Sequence, residues 1–289
     1  MSGVATISAL RDRIRQIEQP VRHGALPFGV SAIDRALPGG GLALGAVHEF
    51  LGTGGDEEDG AAAAGFAAGI LARLGSGPVL WCLKRPDLHG PGLVAHGLDP
   101  ACLVLVAARR DDDILWTVEE GLRTPGLAAV VGEIGRLPMV AGRRLQLAVE
   151  HSGVTALLLR RWRSGAQAAA ERDRPSGAVS RWRVAALPSL DIANQPGIGR
   201  PRPHPFPPPL AGEGMGGGAA ASRLGLGLGR PRWRVELLRV RGGVPAFWDV
   251  EVADATGHVS LSAALADRPA ASARSQAGRV VAQPQRRAG

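Results

Sequence analysis

The feature that most constrains this chain is a regular alternation of short apolar runs with longer helical segments between residues 45 and 162. The apolar runs contain few polar residues, so both faces of each strand can be buried. Strands of that kind, separated by helices, are typical of a mainly parallel sheet with helices on both faces. The runs read "GAVHEFLG", "GPVLWCLK", "ACLVLVAA", "LAAVVGEI" and "VTALLLRRW". The sequence therefore predicts an α/β domain.

The pattern changes after residue 164. The segment "GAQAAAERDRPSGAV" is predicted to be a loop. "SRWRVAALPS" alternates like a strand, and "RPRWRVELLRVRGGVPAFWDVEVADATGHVSL" indicates two or three antiparallel strands. We therefore expect antiparallel strands at the C-terminal end of a domain that spans residues 25–265.

Residues 1–24 are predicted to form an amphipathic helix and a linker. In "ISALRDRIRQIEQP" the apolar residues share one helical stripe, and Pro20 ends the helix. An exposed apolar stripe indicates a protein interface. The candidate interface residues are Ile7, Leu10, Ile14 and Ile17.

Two low-complexity segments are not expected to bury a core. "GIGRPR" at 197–202 and "GLGRPR" at 227–232 nearly repeat each other, so residues 203–232 are interpreted as a disordered insert with a duplicated flank. The alternative is a functional proline-rich ligand segment. Residues 266–289 are rich in Ala, Arg and Gln and are predicted to be a disordered tail.

A strand, a glycine-rich turn and a helix follow one another in "VHEFLGTGGDEEDGAAAAGFAAGI", which is the layout of a phosphate-binding loop. A working loop also needs a lysine for the phosphates and a Ser or Thr for Mg²⁺. Here four acidic residues occupy positions 56–59, and alanine occupies the hydroxyl position. Carboxylates repel a triphosphate, so we interpret the loop as degenerate. Its glycines are Gly52, Gly54, Gly55 and Gly60.

A second part of a nucleotide site is also missing. The strand "LAAVVGEI" has Gly132 where an Mg²⁺-binding aspartate would be required. We therefore predict no catalytic residues, no cofactor and no metal, and we interpret the chain as a protein without enzymatic activity.

The net charge of +8 favours polyanionic partners. Of the 34 basic residues only Lys84 is a lysine, and the tripeptide Arg-Trp-Arg occurs three times. On a strand its tryptophan faces one side and its arginines the other. Either the tryptophan lies in the core and the arginines in solvent, or an arginine-lined surface contacts DNA or an acidic partner. Trp162 is expected to be the most exposed of the three tryptophans. The candidate contact residues are Arg160, Arg161, Trp162, Arg163, Arg181, Arg183, Arg232 and Arg234.

Other function classes have little support in the sequence. No apolar run approaches the about 20 residues of a membrane span. Cys82 and Cys102 have no metal-ligand spacing and are interpreted as reduced thiols of a cytoplasmic protein. His48 and Glu49 lie on a predicted buried strand and are interpreted as structural.

The order of these pieces resembles RecA recombinases. "FGVSAIDRALPGGGLALGAVHEFLG" is similar to the segment leading into the ATP-binding loop of RecA, and the strands from "SRWRVAALPS" onward are similar to its closing strands. This order, combined with "GGLALGAVHE" and "DGAAAAGFAAG", resembles the ImuA family over 5–265 without the insert. On that resemblance the phosphate loop falls at 52–60 and the Mg²⁺ position at Gly132.

The resemblance implies a RecA-like core without ATPase activity and a role in translesion DNA synthesis during the SOS response to DNA damage. It implies two partners, the polymerase-related protein ImuB and an error-prone polymerase subunit. RecA and single-stranded DNA are further candidate partners, and the expected location is the cytoplasm, at the nucleoid when engaged. Two other classes stay open, namely a RecA-like regulator such as a cell-division inhibitor and a divergent ATP-dependent recombinase.

Overall fold

The computed structural model describes residues 23–54, 56–75, 77–162, 164–172, 174–189 and 231–262. Each apolar run identified in the sequence forms a strand. Within the described residues the strands are β1 Ala25–Leu26, β2 Leu42–Ala43, β3 Val47–Leu51, β4 Val79–Leu83, β5 Leu103–Ala107, β6 Ala129–Ile134, β7 Thr155–Arg160, β8 Ser180–Leu187, β9 Arg232–Val240, β10 Ala246–Glu251 and β11 Ser260–Leu261.

Six helices connect these strands in the described part of the chain. They are α1 Ser31–Asp34, α2 Asp56–Leu71, α3 Gly90–Ala95, α4 Asp111–Arg123, α5 Met139–Ser152 and α6 Gly165–Arg172. Helix α4 begins with three aspartates, whose charges are favourable near the positive end of the helix dipole. Helix α5 is capped at its C-terminus by Gly153, whose φ of 79° suits glycine. No described helix has both the length and the apolar character needed to cross a membrane.

Nine strands form one mixed sheet in the order β11-β10-β9-β8-β3-β7-β6-β4-β5. The pairs among β8, β3, β7, β6, β4 and β5 are parallel. Strands β9, β10 and β11 add antiparallel pairs at the other end of the sheet. The predicted α/β class, with a mainly parallel sheet and antiparallel C-terminal strands, is therefore confirmed.

Helices cover both faces of β3, β4, β6 and β7, whereas the parallel strand β5 lies at the sheet edge and is partly exposed, contrary to the burial predicted for its apolar run. On one face, α2 and α3 pack over an aromatic cluster in which the Phe50 and Trp182 rings are stacked with centroids 6.5 Å apart. On the other face, α4 and α5 bury Ile114, Val118 and Leu145 against the sheet. Both faces of β3, β4, β6 and β7 are thus buried, which explains why these strands are apolar throughout.

The chain reverses its direction of travel across the sheet between the neighbouring strands β4 and β6. Strand β4 leads through α3, on the α2 face, toward the β5 edge, whereas β6 leads through α5, on the opposite face, toward β7. In open α/β sheets, such a switch point leaves a crevice at the carboxyl ends of the two strands, and ligands bind there.

One predicted loop is wrong, because residues 165–172 form helix α6. The segment "GAQAAAER" is rich in alanine, the best helix former. Ser164 accepts a hydrogen bond from the backbone N–H of Gln167 at 3.4 Å, as an N-terminal helix cap does. Ala168 is fully buried and packs in a small cluster with Leu51 and Trp162.

Three predictions concern residues outside the described ranges. They are the N-terminal interface of Ile7, Leu10, Ile14 and Ile17, residues 203–230 of the insert, and the tail from 266 to 289. Residue Arg232, counted in the insert, is the first residue of β9.

Candidate functional site

Basic residues lie within two residues of the ends of the neighbouring strands β4, β5, β6 and β7, at the carboxyl edge of the sheet. The side chains of Lys84, Arg85, Arg109, Arg136 and Arg161 line one cavity there, with a volume of about 580 Å³. The cavity opens at the β4–β6 switch point. It is the place where the fold itself predicts a ligand.

Two arginines near this edge take part in a buried ion-pair cluster. The carboxylate of Glu49 on β3 is fully buried, and its Oε2 accepts hydrogen bonds from Arg160 Nη1 and Arg181 Nη2, both at 3.0 Å. Arg160 also donates to Glu171 Oε2 at 3.3 Å. Burial lowers the pKa of Arg160, and the charge of Glu49 opposes that shift. Arg160 and Arg181 therefore neutralise the buried charge of Glu49 and are not available to a ligand in solvent.

A second ion-pair cluster lies at the ends of β6 and β7. Glu133 accepts a hydrogen bond from Trp81 Nε1 at 3.0 Å on one oxygen and from Arg161 Nη1 at 2.9 Å on the other. The Nη2 atom of Arg161 donates to Asp87 Oδ2 at 2.6 Å. Burial raises the pKa of Glu133, and the charge of Arg161 opposes that shift.

Asp111 fixes the strand ends around the cavity. Its carboxylate lies 2.5 Å from Lys84 Nζ, after β4, and accepts the backbone N–H groups of Gly135 and Arg136, after β6, at 3.2 and 3.1 Å. One carboxylate at the start of α4 thus joins three chain segments. The only lysine of the chain is held at this point, away from the glycine loop.

The prediction that Trp162 is exposed is wrong. Its side chain is buried, its Nε1 donates to the carbonyl oxygen of Gly135 at 2.8 Å, and the Arg160 guanidinium lies 5.5 Å from its ring centroid. Helix α6, which was not predicted, covers the ring through Ala168. A tryptophan in this position cannot stack on a nucleic-acid base.

The other two tripeptides follow the predicted alternation, with tryptophan in the core. Trp182 and Trp233 are buried, and the neighbouring arginines point to the opposite side of the sheet. Those arginines have acidic partners, since Arg183 pairs with Glu236 and Arg234 Nε lies 2.8 Å from Asp249 Oδ1. Arg232 is half-buried, and Arg163 lies outside the described residues. Contact of these arginines with DNA or a partner stays a prediction.

The glycine loop joins β3 to α2. Gly52 and Gly54 are described there, whereas Gly55 and the side chains of 56–59 are not. A second cavity of about 370 Å³ lies beside α2 and is lined by Gly60 and Ala61, by His89 and by Arg161 among others. Arg161 is the one arginine or lysine among its described lining residues.

Gly132 is a packing residue of the core. A Cβ atom at this position would lie 2.7 Å from Val118 Cγ2, so the position faces α4. Side chains alternate along a strand, and the next residue, Glu133, faces the side of the sheet that α2 covers. A side chain at 132 would therefore point away from the glycine loop, and Glu133 is the carboxylate on the loop's side.

His48 and Glu49 are buried, as predicted for structural residues. His48 Nε2 donates to the carbonyl oxygen of Ala43 at 2.8 Å, and its Nδ1 accepts from the Ser180 hydroxyl at 2.6 Å. A carbonyl oxygen can only accept, so the proton of the neutral imidazole is assigned to Nε2; Ser180 Oγ in turn accepts from Trp182 Nε1. Burial lowers the pKa of His48 to about 4.

Comparison with known proteins shows the family. No family model matches the chain. Two relatives, both named Protein ImuA, come from Caulobacter vibrioides strain NA1000 / CB15N and strain ATCC 19089 / CIP 103742 / CB 15. Each is 39% identical over 264 residues, a match that covers 88% of this chain and 94% of the relative. The chain therefore belongs to the ImuA family.

Proposed function

We propose that this chain is a non-catalytic accessory subunit of a damage-inducible mutagenesis complex. It acts in translesion DNA synthesis during the SOS response, together with an ImuB-like polymerase-related protein and an error-prone polymerase subunit. Its place of action is the cytoplasm, at the nucleoid when the complex is engaged. Membership of the ImuA family supports this proposal.

The proposal that the chain is non-catalytic rests on one observation: both carboxylate oxygens of Glu133 are hydrogen-bonded within the protein. This carboxylate is the acidic group at the end of β6 on the side of the glycine loop, and its side chain is 1% exposed. One of its oxygens is held by Trp81 and the other by Arg161. A carboxylate that activates water or binds Mg²⁺ must turn an oxygen toward the substrate, and here both oxygens have internal partners.

The basic groups near the loop support the same proposal. A triphosphate needs a lysine or arginine that is available to its phosphates. Lys84 is paired with Asp111, and Arg161 is paired with Glu133 and Asp87. We also propose that the fold is RecA-like and that the loop between β3 and α2 is a degenerate phosphate-binding loop. The parallel sheet and the glycine-rich turn support both proposals.

ATP turnover by the purified chain tests the proposal. We expect no hydrolysis above the buffer rate, with or without single-stranded DNA, and no binding of radiolabelled ATP that depends on the glycine loop. The matched variant is Gly54→Ala, which changes the loop, and it should behave like the unchanged chain. Turnover that Gly54→Ala abolishes would instead assign the chain to the ATP-dependent recombinases.

A further inference from the structure

We propose that the cavity at the carboxyl ends of β4, β5 and β6 binds phosphate groups of a nucleic-acid strand, through Arg109 and Arg136. Neither Arg109 nor Arg136 belongs to the glycine loop or to an Arg-Trp-Arg tripeptide, although Arg161 and Trp162 line the same cavity. The inference goes beyond the proposed function and does not depend on it, because its assay uses the purified chain without a protein partner.

The charge around the cavity is unbalanced. Its lining includes five basic side chains but two acidic ones, Asp111 and Glu171. Both acids already have cationic partners, since Asp111 pairs with Lys84 and Glu171 lies 3.2 Å from Arg174 as well as 3.3 Å from Arg160. The carboxylates that line the cavity therefore do not neutralise its exposed arginines.

Arg109 and Arg136 are the groups that a ligand can reach. Both are exposed, and each lies two residues after the end of its strand, at Ala107 and Ile134. Arg161, on the same lining, is committed to Glu133 and Asp87. Arg85 lies 3.6 Å from Asp87, and both side chains are about half exposed.

The arrangement of the cations favours a strand of phosphates over one isolated anion. Arg136 follows β6, Arg85 follows β4 and Arg109 follows β5, and these three strands are neighbours in the sheet. Adjacent strands lie about 4.8 Å apart, so the ends of the three strands that these arginines follow span about 10 Å. A row of basic groups beside an open crevice is how proteins follow a nucleic-acid backbone without reading its sequence. A free phosphate or pyrophosphate offers the same chemistry to a shorter part of the row.

The test compares two double variants with equal charge change. Arg109→Gln with Arg136→Gln alters the proposed site. Arg35→Gln with Arg241→Gln alters two exposed arginines at the opposite, amino edge of the sheet, where the α1 turn meets the β9–β10 turn. The probe is a fluorescein-labelled oligothymidylate of about 12 nucleotides, and binding is measured by anisotropy over a series of salt concentrations. Thermal melting of each variant checks its folding.

We expect the site variant to bind the oligonucleotide more weakly, with the slope of log K against log salt reduced by about 1.4, which is two phosphate contacts at about 0.7 each. The control variant should keep the slope of the unchanged chain, and pyrophosphate should displace the oligonucleotide. If pyrophosphate binds at Arg109 and Arg136 while the oligonucleotide does not, the proposal of a nucleic-acid ligand is wrong, and the ligand is a free phosphate compound. Equal losses in both double variants, or no binding of either probe, would overturn the site.

Discussion

Arg161 Nη1 lies 2.9 Å from Glu133 Oε2, a salt bridge that joins the carboxyl ends of the neighbouring strands β6 and β7. Glu133 is almost fully buried, and Arg161 is its charged partner. A buried carboxylate that loses such a partner is left with an uncompensated charge. Removing Arg161 alone should therefore destabilise the fold, whatever the surface around the pair binds.

Replacing Arg161 with methionine should destabilise the fold by about 2–4 kcal/mol, because Glu133 keeps its burial and loses its cation. The matched control is Arg85→Met, which removes a half-exposed arginine from the same edge and should cost less than about 1 kcal/mol. Urea unfolding of both variants measures the difference. Equal stability of the two variants would show that the buried pair has no special role.

His48 predicts a loss of stability in mild acid. Its pKa is about 4 in the folded chain against an ordinary value of 6.5. Between these two pH values His48 is protonated in the unfolded state but neutral in the folded state. The free energy of unfolding therefore falls as the pH falls from 6.5 toward 4. The full effect is roughly 3 kcal/mol.

The variant His48→Gln should lose the part of the pH dependence that falls between 6.5 and 4, although it is less stable at neutral pH. The control His151→Gln changes an exposed histidine and should keep the pH dependence of the unchanged chain. The free energy of unfolding is measured at several pH values. A His48→Gln curve parallel to that of the unchanged chain would contradict the assignment of a buried neutral imidazole.

Gly132→Ala tests whether this glycine is required for packing. The added methyl group would meet Val118 at 2.7 Å, so we expect a loss of about 1–3 kcal/mol. The control is Gly165→Ala in α6, where no atom lies within 4 Å of the new methyl group. That change should be neutral or stabilising by less than about 1 kcal/mol. A neutral Gly132→Ala variant would place the residue outside the core between β6 and α4.

Deleting residues 203–232 should leave the fold nearly unchanged. The deletion joins the first "GRPR" directly to Trp233 and preserves the sequence of β9 from that residue onward. Loop closure entropy depends only weakly on loop length, so the melting temperature should shift by less than about 2 °C. A fall of about 5 °C or more would show that the deleted segment packs on the domain.

The strands of the sheet were predictable because burial on both faces leaves a local record, a run of apolar residues such as "VLWCL". Helix α6 also had a local signal in Ser164 and the alanines that follow, but the nearby Pro175 and Gly177 favoured a loop. The hydrogen-bond partners of individual polar groups leave no comparable pattern in the sequence. His48 meets Ser180 across 132 residues of chain, and only the fold brings them together.

The position of the candidate site in the fold was predictable from the sequence, but the arginines that are available in it were not. Basic residues follow the strands in "LKR", "AARR" and "RRW", and parallel strands end at one edge, so a basic edge could be expected. Which arginines stay available depends on the acids that reach them. Arg160 and Arg161 meet Glu49 and Glu133, whereas Arg109 and Arg136 remain exposed.

The most direct test of the proposed function is co-purification of the chain with the ImuB-like protein from the same organism, in buffers with and without ATP and Mg²⁺. An accessory subunit without nucleotide chemistry should form the complex equally well in both buffers. Absence of a complex, or a complex that forms only with ATP, would contradict the account.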